Sequence, residues 1–101
     1  MRVMKPNQTE IEARIIEALQ ELLGAEFAGK INLRTNPIKD CGKDSEDGIE
    51  LACLLSERFG VHIPDNLNPF VDDARHRSRT VGEIATLMSK LLEREEVGTH
   101  D

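Results

Sequence analysis

Three stretches of this chain carry apolar residues at intervals of three and four, and each begins with a residue able to cap a helix. That period gathers apolar side chains on one side of a helix, and the stripe must then be buried. The first stretch reads as opening at Thr9, with Glu12 completing a capping box. Its stripe is Ile11, Ile15, Leu19, Leu22 and Leu23, and Gly24 is placed to stop it. The second opens at Asp44 and Ser45, where Asp44 and Asp47 have the spacing of a cap and its third-position partner. Ile49, Ala52, Cys53, Leu55, Ser56 and Phe59 follow one face, Leu51 and Leu54 widen it, and Gly60 ends it. Gly48 lies in its first turns and is expected to loosen that start by about 0.5–1 kcal/mol relative to Ala. The third opens at Thr80, again with a box partner at Glu83. Val81, Ile84, Ala85, Leu87, Met88, Leu91 and Leu92 form its face, and Arg94 suits its negative end.

The connections are unequal. Gly24 to Lys43 is a loop of roughly 20 residues, a length that is usually functional where it occurs. Ile31, Leu33 and Ile38 are expected to tack it onto the core. Between Gly60 and Thr80 a short helix is expected at Pro69 to Arg77, with Pro69 in its first turn. Val61-His62-Ile63 is too short to count as a strand. The expectation is an all-α single domain over 1–101: three main helices, one short helix and a long first loop. The core is expected to span about 8–94, with flexible ends at 1–7 and 96–101, the C-terminal tail fraying from Val97.

Composition narrows the function classes. The net charge is −6, there is no Trp or Tyr, and only three residues are Phe. Nucleic-acid modules favour a basic face with stacking aromatics, so nucleic acid is not an expected partner. No apolar run reaches the ~18 residues of a membrane span, and the first residues lack a signal-peptide core. Cys41 and Cys53 make no zinc or disulfide pattern, which points to a reducing cytoplasm. His62, His76 and His100 have no ligand spacing, so no metal is expected. A calcium loop counted from Asp40 puts Leu51 at the terminal Glu position, and one from Asp44 puts Leu55 there, so both registers fail. No nucleophile elbow surrounds Ser45, and an enzyme is not expected.

One segment is more specific. Ile38-Lys39-Asp40-Cys41-Gly42-Lys43-Asp44-Ser45-Glu46-Asp47-Gly48-Ile49-Glu50-Leu51 resembles the modification segment of acyl carrier proteins, which typically read Leu-Gly, then Asp-Ser-Leu-Asp, then Val-Glu-Leu. The likeness continues through Leu54-Leu55-Ser56-Glu57-Arg58-Phe59-Gly60-Val61-His62-Ile63-Pro64-Asp65, and again at Thr80-Val81-Gly82-Glu83. The resemblance implies a four-helix acyl-carrier-like bundle. It also implies a 4′-phosphopantetheine arm on Ser45, flanked by the motif residue Asp44. A phosphopantetheinyl transferase would add the arm from coenzyme A. The arm's thiol would hold acyl groups as thioesters for synthase and acyl-transferring enzymes of fatty-acid, lipid A or polyketide type biosynthesis, and the carrier itself, a monomer, would catalyse nothing.

The residues agree with that role. A serine where a long loop meets a helix is reachable, and a helix N-terminus favours an attached phosphate. From Asp40 to Glu57 the acids Asp40, Asp44, Glu46, Asp47, Glu50 and Glu57 stand against Lys43 alone. Glu46, Asp47, Glu50 and Glu57 are expected to share the exposed side of the second helix, where enzymes with basic docking surfaces would engage. There are departures from the family pattern. Glu46 stands where an apolar residue is usual, Cys41 where Leu is, and the stretch from Asp65 to Thr80 is long and carries Arg75, Arg77 and Arg79. These point to a specialised carrier. The arginines read most simply as a solvated turn, with contact to a partner or to the arm's phosphate as the functional version. Two further readings are a helical interaction module of the same fold without the arm, and a peptidyl or aminoacyl carrier, whose usual Gly-Gly pair is absent.

Overall fold

The computed structural model describes residues 6–98. Helix α1 spans Gln8–Leu23, α2 Pro37–Cys41, α3 Ser45–Phe59 and α4 Val81–Gly98, and two short strands, β1 Val71–Asp72 and β2 Arg77–Ser78, lie between α3 and α4. The chain is a small helical bundle in which α1 packs against both α3 and α4. Of the expected ends, 1–5 and 99–101 lie outside the described residues. Within them Asn7 caps α1, and the α4 backbone continues to Gly98.

The cap of α1 is Asn7 rather than Thr9. Asn7 Oδ1 accepts from the Glu10 N–H at 2.8 Å and Glu10 Oε1 accepts from the Asn7 N–H at 3.1 Å. The sequence holds two overlapping boxes, and asparagine is the stronger cap. The α4 box forms as expected: Glu83 Oε1 accepts from the Thr80 N–H at 2.9 Å, and Thr80 Oγ1 accepts from the Glu83 N–H at 3.3 Å. Ile11, Ile15, Ala18 and Leu19 of α1 meet Leu51 and Leu55 of α3 and Val81, Ile84, Ala85 and Met88 of α4 in one buried cluster. On α3, however, Cys53 is exposed and Ile49 is 59% exposed. Gly48, Leu51 and Leu55 face the core, and a residue one step along a helix turns about 100° away from its predecessor.

The short helix lies in the first loop, not at Pro69 to Arg77. Asn36 caps α2, accepting from the Ile38 and Lys39 N–H groups at 3.1 and 3.0 Å, with Pro37 in the first turn. The 69–77 stretch instead forms an antiparallel hairpin, pairing Val71 with Ser78 and Asp72 with Arg77. Arg79 braces the hairpin. Its Nη1 donates to the carbonyls of Asn68 and Val71 at 2.9 and 2.8 Å, occupying acceptors that a helix would use. Phe70 between them is fully buried.

The long loop is held by its backbone. The carbonyls of Thr35 and Leu33 accept from the Val81 and Gly82 N–H groups at 2.8 and 2.9 Å, which satisfies two free donors at the start of α4. Ile31 and Ile38 pack against the core as expected. Leu33 does not: its side chain is 40% exposed, and only its carbonyl anchors the loop.

Candidate functional site at the start of helix α3

Ser45 is the first residue of α3 and is exposed. Gly42, in the left-handed conformation at φ 68°, ends α2 and turns the chain so that α3 begins only three residues later. Asp44 is the cap. Its Oδ1 accepts from the Glu46 and Asp47 N–H groups at 3.0 and 3.3 Å, and Asp47 Oδ2 accepts from the Asp44 N–H at 3.2 Å. Capping therefore falls to Asp44, and the Ser45 hydroxyl is spared it.

The backbone of Ser45 is held from outside the helix. Asn68, at the base of the hairpin, donates from Nδ2 to the Ser45 carbonyl at 2.7 Å, while its Oδ1 accepts from the Phe70 N–H at 2.9 Å. The Asn68 amide lies where a side chain at residue 48 would begin: a Cβ on Gly48 would overlap Asn68 Oδ1 and lie 3.0 Å from Phe70 Cβ. Gly48 thus admits the side chain that ties α3 to the hairpin. Sequence reasoning missed Asn68. Its signal was an Asn two residues before Phe70 in a Pro/Asn turn, the usual place for an Asx turn, together with a glycine inside a helix.

The acidic residues divide. Glu46, Glu50 and Glu57 are exposed, and their helical angles fall within about 40° of one another, so they make one stripe. Asp47 is half-buried at the stripe's margin and is engaged in the capping box. Beside the stripe, on the face turned to α1, Arg58 pairs with Glu21 of α1 and lies 3.8 Å from Glu17. One turn beyond Ser45, Ile49 lines an open groove of about 740 Å³ between α3 and residues 62–67, with Ala52, Cys53, Ile63 and Leu67 among its lining.

Of the three arginines, Arg77 and Arg79 are engaged within the chain, and Arg75 stays largely in solvent as a turn residue. Arg75 Nε lies 3.9 Å from Asp72, Arg77 pairs with Glu83, and Arg79 binds hairpin carbonyls. The Thr80 N–H and then the Arg77 guanidinium hold the Glu83 carboxyl below its ordinary range. Partial burial, then the Asp40 charge, pushes the Cys41 thiol up, which keeps it protonated and poorly nucleophilic.

Among the described residues no group of three His, Cys, Asp or Glu side chains is placed to hold a metal ion, and no helix is long and apolar enough to cross a membrane. No protein-family model matches the chain.

Proposed function

We propose that the protein is an acyl carrier whose 4′-phosphopantetheine arm is borne on Ser45. The observation that carries this reading is the position of Ser45. It is exposed and first in its helix, relieved of capping by Asp44, and set in the segment that resembles the carrier family. In the modification step the hydroxyl oxygen attacks the phosphorus of coenzyme A that bears pantetheine. The pyrophosphate bond breaks, adenosine bisphosphate leaves, the hydroxyl proton goes to the transferase or solvent, and a phosphodiester remains. The start of α3 receives that anion next to the positive end of the helix dipole, although Asp44 has already taken two of its donors.

Glu46, Glu50 and Glu57 form the docking stripe in this reading. Charges of one sign on an exposed face steer basic partners and release them readily in salt. Asp47 belongs to the helix cap more than to the stripe. The groove at Ile49, opening one turn from Ser45, is where the loaded group would rest. The protein acts as a cytoplasmic monomer and leaves the chemistry to its partners.

The test is intact-protein mass after incubation with coenzyme A, Mg²⁺ and a broad-specificity phosphopantetheinyl transferase, beside Ser45→Ala. One added phosphopantetheine, absent from the variant, is expected. No addition, with the transferase active on a control carrier and again with the organism's own enzyme, would put the arm-free interaction module in its place.

A further inference from the structure

The anchor beneath the modification site lies outside the segment that resembles carriers. Asn68 and Ser45 are 23 residues apart, yet the Asn68 amide donates to the Ser45 carbonyl at 2.7 Å. The rest of Asn68 is fixed as well. Its Oδ1 is engaged by the Phe70 N–H, its own carbonyl by Arg79, and the adjoining Phe70 is fully buried. The hairpin is tied in turn to the loop before α3, because Asn36 Nδ2 donates to Ser78 Oγ at 2.9 Å. A first helical turn frays readily when nothing beyond the helix holds it. Here the residue offering its hydroxyl is the one held, and Gly48 leaves room for the amide that holds it.

We infer that Asn68 is a positioning residue for modification of Ser45: it fixes the first turn of α3 through the Ser45 carbonyl, so that the hydroxyl is presented to the transferase in one orientation. This rests on the carrier reading above. Asn68 touches neither the docking stripe nor the hydroxyl, so its loss acts on the reacting geometry rather than on encounter. A misoriented nucleophile lowers the rate within the complex, and one backbone-directed hydrogen bond is worth about fivefold.

The test is the rate of phosphopantetheine addition to the full chain at varied carrier concentration. The proteins are wild type, Asn68→Ala, and Asn68→Ala with Gly48→Ala. The single variant is expected to lose about fivefold in kcat, with KM within about twofold of wild type. The double variant regains helix propensity at residue 48 and with it thermal stability, but not the hydrogen bond, so its kcat stays low. Amide exchange at residues 46–49 of the single variant is expected to quicken. An unchanged kcat in Asn68→Ala, a change confined to KM, or a double variant whose kcat recovers with its melting temperature would each overturn the inference while leaving the carrier reading intact. A wild-type chain that is never modified would remove both.

Discussion

Replacing Gly48 by alanine would stabilise an ordinary exposed helix by about 1 kcal/mol. In this chain it should do the reverse. The new Cβ would overlap Asn68 Oδ1, whereas its 3.0 Å approach to Phe70 Cβ asks for a shift of only a few tenths of an ångström. Asn68 must therefore leave, losing its bonds to the Ser45 carbonyl and the Phe70 N–H. The exposed bond to the Ser45 carbonyl is worth about 1 kcal/mol, and leaving the part-buried Phe70 N–H without its acceptor costs about 2 kcal/mol. Set against the propensity gain, the net destabilisation is about 2 kcal/mol, a fall in melting temperature of about 10 °C for a domain this size. Thermal and urea denaturation followed by circular dichroism would measure it. The same substitution in an Asn68→Ala background has no amide to displace and should be neutral or stabilising, a coupling of about 2–3 kcal/mol. A Gly48→Ala protein that melts at or above wild type, or an equal effect in both backgrounds, would refute the packing argument.

Ser45→Ala should change stability by less than about 0.5 kcal/mol while abolishing modification, whereas Asp44→Ala should lose about 1 kcal/mol, since Asp44 is the cap; urea midpoints separate the two. Phe70→Ala should cost about 3–5 kcal/mol, and Phe59→Ala clearly less. The Phe59 ring is only half-buried, with the Arg14 guanidinium 5.6 Å from its centroid, and equal losses would show that the core is misplaced. The Glu83 carboxyl is depressed in the folded protein, so its stabilisation is complete above its ordinary value of 4.5 and fades as the pH falls through the folded one. Glu83→Gln should therefore be less stable than wild type at neutral pH, with the gap narrowing as the pH falls below 4.5. A gap that is constant with pH would remove the electrostatic explanation.

Much of the bundle was legible in the chain. Period and caps are local properties, so the helices now called α1, α3 and α4, the cap at Asp44 and the box at Thr80 and Glu83 could be read without a partner in view. The exposed serine at the start of α3 was legible for the same reason. What failed were choices between competing local options. Two capping boxes overlap near Asn7 and Thr9, and the stronger cap takes the helix start. The 69–77 stretch has helix-start chemistry, but it pairs as a hairpin that the Arg79 guanidinium braces through the carbonyls of Asn68 and Val71. Ile49 and Cys53 have the period of a buried face, yet α3 turns Gly48, Leu51 and Leu55 inward, and that rotation is set by where α1 and Phe70 lie.

Residues within a few positions of one another are enough to set three amphipathic helices and a serine at the start of the middle one, with Glu46, Glu50 and Glu57 behind it. Folding adds that Gly48 makes room for Asn68 and that the Ser45 carbonyl is held from the hairpin. Those roles depend on groups far apart in the chain meeting at hydrogen-bonding distance, and no local pattern records such a meeting.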